Sequence, residues 1–199
     1  MTFTPRRKEM ITHKGTKTLY TKRLILRHFT VEDAADMYKN WASSEEVTRF
    51  LTWQPHSSPE ATKYVLGLWC SDYEKPDTYN WAIEYEERPI GSIGVVRFDT
   101  QSEHAELGYC MGTAFWNRGL MSEAAQAVID YLFAEVSVNR IGISHAVKNP
   151  ASGRVAQKCG LTYEGTKRAY FKSNAGEFLD ISDYGILRSD WELARRNAL

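Results

Sequence analysis

Tyr109-Cys110-Met111-Gly112-Thr113-Ala114-Phe115-Trp116-Asn117-Arg118-Gly119-Leu120-Met121-Ser122-Glu123-Ala124 is the stretch whose reading decides the fold. Its first residues end a strand-like run, His104 to Met111. Its middle is a short loop around Trp116-Asn117-Arg118-Gly119-Leu120. Its end opens a helical pattern running from Leu120 to about Val136, with Ser122 and Glu123 in the first turn. A helix N-terminus presents unpaired N–H groups and the positive end of a dipole. Gly119 lets backbone approach a ligand closely, and Arg118 adds charge. Arg118, Gly119, Leu120, Met121, Ser122 and Glu123 therefore form a candidate anion site suited to a pyrophosphate. The competing reading is a plain strand-to-helix turn with Gly119 serving geometry alone. The spacing fits neither a Walker loop, since no Gly-Lys-Ser/Thr follows, nor a dinucleotide fingerprint.

Working toward the N-terminus, Ile90 to Phe98 and Asn80 to Tyr85 read as strands, with Glu86-Glu87-Arg88-Pro89 as the turn between them. With His104 to Met111 they make an antiparallel meander. Ser58-Pro59 is an N-cap and first-turn pair. Behind it Ala61, Tyr64, Val65, Leu68 and Trp69 predict an amphipathic helix with those residues inward. Glu45 to Leu51 reads as a short helix. Thr30, with Asp33 three residues on, starts another, whose apolar stripe is Ala34, Ala35, Met37, Tyr38 and Trp41. Leu24-Ile25-Leu26 is a short strand. Toward the C-terminus, Arg140 to Val147 is a strand, and Ala151 to Cys159 a helix closed by Gly160. Tyr170 to Lys172 and Leu179 to Leu187 close the sheet. The expectation is one mixed α/β (α+β) domain over residues 19–191 with a mostly antiparallel sheet. Residues 1–18 read as an extension or mobile arm, and 192–199 as a tail. Whether translation starts at Met1 or Met10 stays open.

Bulk properties narrow the function classes. The chain has 199 residues, with 25 Lys plus Arg against 25 Asp plus Glu, so its formal net charge is zero. No global field favours nucleic acid or an anionic membrane, and any grip on a charged ligand is local. No apolar run approaches a membrane span. Met1 to Gly15 is polar and basic, unlike a secretory signal. Cys70, Cys110 and Cys159 are odd in number and far apart, which fits reduced thiols in a cytoplasmic protein. The five histidines (His13, His28, His56, His104, His145) lack metal-ligand spacing, so no metal is expected.

The segment Tyr109 to Ala124 resembles the coenzyme A loop of GNAT N-acetyltransferases. Their general pattern is Gln/Arg-x-x-Gly-x-Gly/Ala, from which Trp116 and Met121 depart. The RimJ/RimL branch usually has Trp-x-Lys/Arg-Gly-Leu/Ile followed by Glu-Ala, and Trp116, Arg118, Gly119, Leu120, Glu123 and Ala124 fit it. Asn149-Pro150-Ala151-Ser152 looks like the branch's Asn-x-x-Ser. Cys159-Gly160-Leu161, Glu164-Gly165, Asp183-Tyr184-Gly185 and Asp190-Trp191 resemble its later elements in order. The resemblance covers about Leu19 to Trp191. It implies acetyl-CoA as co-substrate, an amine acceptor (a protein N-terminus or a small amine), and splayed central strands that leave backbone groups free near Met111. A homodimer is compatible with the branch.

Acetyl transfer from a thioester to an amine needs positioned donors for the developing oxyanion. The Met111 N–H is the candidate, against an ordinary ladder N–H. A thiolate leaves near neutral pH without strong acid help, since a thiol has a pKa of about 8.5. The branch resemblance places a serine at Ser152, here cast as a hydrogen-bond donor to sulfur, against a first-turn or capping serine. Asn149 is an anchor for the coenzyme or a turn residue before Pro150. Glu106 is the first candidate base, acting through a water, with Glu103, Ser144 and His145 as rivals. Among the tryptophans, Trp53 and Trp81 are the candidate walls of the acceptor pocket. Two other readings stay open: acetylation of an antibiotic or polyamine, and a regulatory acyl-CoA-binding module without turnover.

Overall fold

The computed structural model describes residues 11–197. Met1, Met10 and residues 198–199 lie outside them. Eight strands form one sheet: β1 (Leu19–Tyr20), β2 (Ile25–Arg27), β3 (Asn80–Tyr85), β4 (Arg88–Asp99), β5 (His104–Met111), β6 (Arg140–Ala146), β7 (Thr162–Lys172) and β8 (Phe178–Leu187). Their order is β1-β2-β3-β4-β5-β6-β8-β7. The β5–β6 pair is parallel; the other neighbouring pairs are antiparallel. The meander forms as its alternation predicts, and Glu86 and Glu87 both take positive φ (50° and 63°) to turn β3 tightly into β4.

Helices cover both faces. On one, α4 (Leu120–Tyr131), continued by a π turn over Leu132–Val136, and α5 (Pro150–Lys158) pack on the sheet. Trp81, Ile93, Leu107, Val128, Phe133 and Ile143 are essentially fully buried in that core. Each such Leu, Ile or Phe contributes roughly 1.5–3 kcal/mol. On the other face lie α1 (Ala34–Met37), α2 (Glu45–Thr48) and α3 (Pro59–Asp72), around Phe29, Met37, Trp41 and Leu66. The Thr30 N–H donates to the Asp33 carboxylate at 2.8 Å, and Arg27 bridges Asp33 and Glu84, fixing β2's exit into this layer.

Three expectations meet a different outcome. Helix α3 is capped as read, Ser58 Oγ accepting from Ala61 N at 3.2 Å, but its inward face is centred on Thr62 and Leu66. Tyr64 and Leu68 are 71% and 52% exposed. Thr62 is buried because its hydroxyl is satisfied by His56 and the Ser58 carbonyl, so a polar residue occupies a core position that hydropathy assigns outward. Strand β7 begins at Thr162, well before Tyr170; as the sheet's outer strand it is almost wholly exposed and carries no apolar alternation. Residues 192–197 are not a tail but the end of α6 (Arg188–Asn197), held by the Trp191 indole N–H and Arg195 on Asp130.

Residues 11–18 do not form a free arm. Trp81 Nε1 donates to Lys17 O at 2.7 Å, Tyr131 Oη to Gly15 O at 2.7 Å, and Lys14 pairs with Glu135. Among the described residues no helix is long and apolar enough to cross a membrane.

Candidate active site

The parallel ladder between β5 and β6 runs from His104↔Arg140 to Leu107↔Ile143 and stops. Each strand keeps its outer partner beyond that point: β4 pairs with β5 as far as Gly91↔Met111, and β8 pairs with β6 as far as Ala146↔Ile181. The two central strands therefore diverge into a wedge. Gly112 N donates to Ile90 O at 2.9 Å, so antiparallel alternation turns the Met111 N–H and C=O toward the wedge. The Met111 carbonyl accepts the Trp116 indole N–H at 2.7 Å. Its N–H faces a part of β6 that no longer pairs with it.

The loop after β5 ends in Asn117 (φ 59°) and Gly119 (φ 75°), both left-handed, and Gly119 is the N-cap of α4. The first helical bond runs from Glu123 N to Gly119 O at 3.1 Å. The N–H groups of Leu120, Met121 and Ser122 thus precede the helical ladder and are the ones available to an anion. Glu123 is corrected on both counts: its N–H is engaged, and its carboxylate turns away to accept from Thr21 Oγ1, Arg23 N and Arg23 Nε at 2.7–2.8 Å. Burial alone would push the Glu123 carboxyl up; the bonds from Thr21 and Arg23 outweigh it and hold its pKa below the usual value. Leu120 is a core side chain and can serve a ligand only through its backbone.

Arg118 is a second correction. Its guanidinium lies over the Tyr85 ring, 4.9 Å from the centroid, and donates to Tyr85 Oη at 2.8 Å. The cations around the cleft are instead Arg49, Arg154 and Lys158, with Arg23 behind the loop donating to Arg118 O at 3.0 Å. The i, i+4 spacing of Arg154 and Lys158 on α5 is the signal in the sequence that would have found two of them.

Two cavities open on the wedge. One, about 510 Å³, runs along Met111, Trp116, Gly119 to Ser122, and the first turns of α5. The other, about 820 Å³, lies on the opposite side and includes Trp53, Glu106, Ser144, Lys167 and Tyr170 in its wall. Tyr109, Cys110, Asn149 and Ser152 line both. Asn149 caps α5, its Oδ1 accepting from Ser152 N at 3.4 Å, and its amide nitrogen is left for other partners. The cap is therefore Asn149, and the Ser152 hydroxyl meets the phenol of Tyr109 at 2.8 Å.

Glu106 faces the larger cavity and pairs with Arg97 at 2.7 Å. Of its rivals, Ser144 donates to Asp183, His145 is buried, with Nδ1 2.8 Å from the Ala146 carbonyl, and Glu103 sits in the turn before β5. Trp53 lines the larger cavity. Trp81 does not: it is fully buried, with its indole N–H on Lys17 O. Burial pushes the Cys110 thiol up to about 11 and the Cys159 thiol up to about 12, so neither carries appreciable thiolate near neutrality.

A family model described as an acetyltransferase (GNAT) domain matches residues 23–162. The chain belongs to the GNAT acetyltransferase family, and it is an acetyl-CoA-dependent N-acetyltransferase. It is 31% identical over 172 residues to YoaA of Bacillus subtilis (strain 168), described as an uncharacterized N-acetyltransferase, covering 85% of this chain and 96% of that one. It is 27% identical over 188 residues to the [Ribosomal protein uS5]-alanine N-acetyltransferase of Escherichia coli (strain K12), covering 89% and 94%. Among solved structures, RimL, a ribosomal L7/L12 alpha-N-protein acetyltransferase in complex with coenzyme A, superposes with a TM-score of 0.77 at 20% identity, covering 86% of this chain and 98% of that chain. At that identity the likeness speaks for the fold alone.

Proposed function

We propose that the protein moves the acetyl group of acetyl-CoA directly to an α-amine of a protein or peptide. One observation carries this reading: an anion-suited cleft and a second cavity meet at a wedge whose shared wall holds Ser152 and Asn149. The residues present fit a coenzyme A thioester. Above Gly119 the space is open, since among the described residues a Cβ there would meet only Arg23 Nη2, at 3.7 Å. The N–H groups of Leu120, Met121 and Ser122 would hold the pyrophosphate, with Arg49, Arg154 and Lys158 as the surrounding positive charge. The catalytic unit is the domain over residues 19–191, with residues 11–18 packed on it and α6 running on past its end to Asn197.

In the reaction so proposed, the amine lone pair forms the nitrogen–carbon bond. The carbon–sulfur bond then breaks, its electron pair staying on sulfur. Met111 N–H donates to the carbonyl oxygen as it gains charge. Ser152 donates a hydrogen bond to the sulfur. Glu106, through a water, receives the proton that the nitrogen loses. Asn149 anchors the coenzyme through its amide nitrogen, and Trp53 forms part of the acceptor wall.

The choice of an α-amine rests on proton energetics and on one relative. An α-amine has a pKa of about 7.7–8.0 and a lysine amine about 10.4, a gap of about 2.5 units or about 3.4 kcal/mol. A lysine-directed site must supply that by desolvation or a strong base. Glu106 is the one carboxylate of β5 and is engaged by Arg97. The ribosomal uS5-alanine enzyme is named for a protein acceptor, which supports the same choice.

The test is a panel: peptides with a free N-terminus, the same peptides blocked but carrying lysine, and small amines, with thiol release from acetyl-CoA as readout. Fastest turnover on free N-termini is expected. Faster acetylation of the blocked lysine peptides would overturn the α-amine reading, as would no turnover on free N-termini, and activity confined to small amines would move the protein to a small-molecule acceptor.

A further inference from the structure

Tyr109 sits on β5 two residues before Met111, and nothing in the spacing of the sequence assigns it a task. Its ring packs against the α4–α5 core, while its hydroxyl reaches the wedge, 2.8 Å from Ser152 Oγ and 3.2 Å from the Ser152 carbonyl oxygen. It lines both cavities. Burial pushes the phenol well above its ordinary range, against the opposing pull of the Ser152 hydrogen bond, so it keeps its proton at any working pH.

A phenol has one proton, and a serine hydroxyl donates once and accepts twice. Two arrangements place a proton on the shorter contact. In one, Ser152 donates to the phenolic oxygen and the phenol donates to the Ser152 carbonyl; the serine proton is then engaged. In the other, the phenol donates to Ser152 Oγ along the shorter contact, giving up the longer one to the Ser152 carbonyl, and the serine proton is left to point into the wedge. A hydroxyl that accepts a hydrogen bond is polarised into a better donor.

We infer that Tyr109 is a positioning residue for acetyl transfer: its hydroxyl donates to Ser152 Oγ and so directs the serine proton to the sulfur that becomes thiolate. The inference rests on the role proposed for Ser152. No proton changes owner along this pair. The carbon–sulfur electron pair goes to sulfur, the Ser152 O–H stays intact while hydrogen-bonded to it, and the amine's proton leaves by way of Glu106.

The test is a double-mutant cycle of Tyr109→Phe and Ser152→Ala, reading kcat, the KM for acetyl-CoA, coenzyme A affinity by calorimetry, and thermal melting. Tyr109→Phe keeps the ring and removes one oxygen. The expected result is a kcat lowered roughly threefold to tenfold, the size of one hydrogen bond, with KM and affinity unchanged. In the Ser152→Ala background the same change should lower kcat no further. An unchanged or raised kcat in Tyr109→Phe would mean that the serine donates to the phenol, and would overturn the inference. An equal loss in both backgrounds would mean packing alone, and would overturn it too. Full activity of Ser152→Ala by itself would bring down the reading of Ser152, and this inference with it. Should Tyr109→Phe melt early, fluorotyrosine at 109 preserves the fold and makes a stronger donor; a retained or raised kcat supports the inference, and a fall opposes it.

Discussion

Gly119→Val weakens acetyl-CoA binding by at least roughly tenfold, about 1.4 kcal/mol, when measured by calorimetry. Two effects add. Gly119 has φ 75°, a left-handed conformation that costs an L-residue roughly 1–2 kcal/mol and a β-branched one more. The valine side chain also enters the space above the loop, where the pyrophosphate would approach the Leu120, Met121 and Ser122 N–H groups. The protein itself offers that side chain little resistance, since a Cβ there meets Arg23 Nη2 at an ordinary 3.7 Å. The strain at φ 75° falls on the fold with or without ligand and lowers the melting temperature, while the blocked approach appears in the coenzyme affinity of the folded protein. Unchanged affinity with lowered stability would remove the loop from the binding site.

Ser152→Ala lowers kcat roughly tenfold to a hundredfold while coenzyme A affinity stays within about twofold. Removing a single oxyanion donor typically costs a hundredfold or more. A thiolate, from a thiol with a pKa of about 8.5, needs less help than an oxyanion, which sets the lower figure. The split between kcat and affinity follows because the bond to sulfur strengthens only as charge develops. Capping makes no competing demand, since Asn149 Oδ1 and its carbonyl receive the Ser152 N–H, at 3.4 and 3.2 Å. The melting temperature should therefore be near wild type. Equal losses in turnover and binding would count against the role.

What was legible in the sequence was backbone. Alternation around Trp81 and Ile83 gave β3, the Glu86-Glu87 turn gave the hairpin, and Gly119 before Leu120 gave a helix start with free N–H groups. Hidden were the directions of side chains whose partners are far along the chain. Arg118 is drawn to Tyr85, 33 residues away, and Glu123 to Arg23, 100 residues away. Neither pairing has a local signature, so both residues read as ligand groups when they brace the loop. Trp81 follows a related rule: aromatic content marks a half of the domain, but only the β3 pleat decides which ring faces the core. Alternation along β5 puts Tyr109 on the face of Leu107 and Met111, toward the core. Its ring is there, yet the phenol's reach to Ser152 depends on where α5 docks. The wedge itself follows from β5 and β6 each keeping its outer partner while losing the other, which no single segment encodes.

The most direct test of the account is a structure of the protein with a non-transferable thioether analogue of acetyl-CoA. The account predicts the pyrophosphate on the Leu120, Met121 and Ser122 N–H groups. It also predicts the acetyl oxygen about 3 Å from Met111 N and the sulfur within hydrogen-bond reach of Ser152 Oγ. An acetyl group lying outside the wedge, or a pyrophosphate bound away from the start of α4, would contradict it.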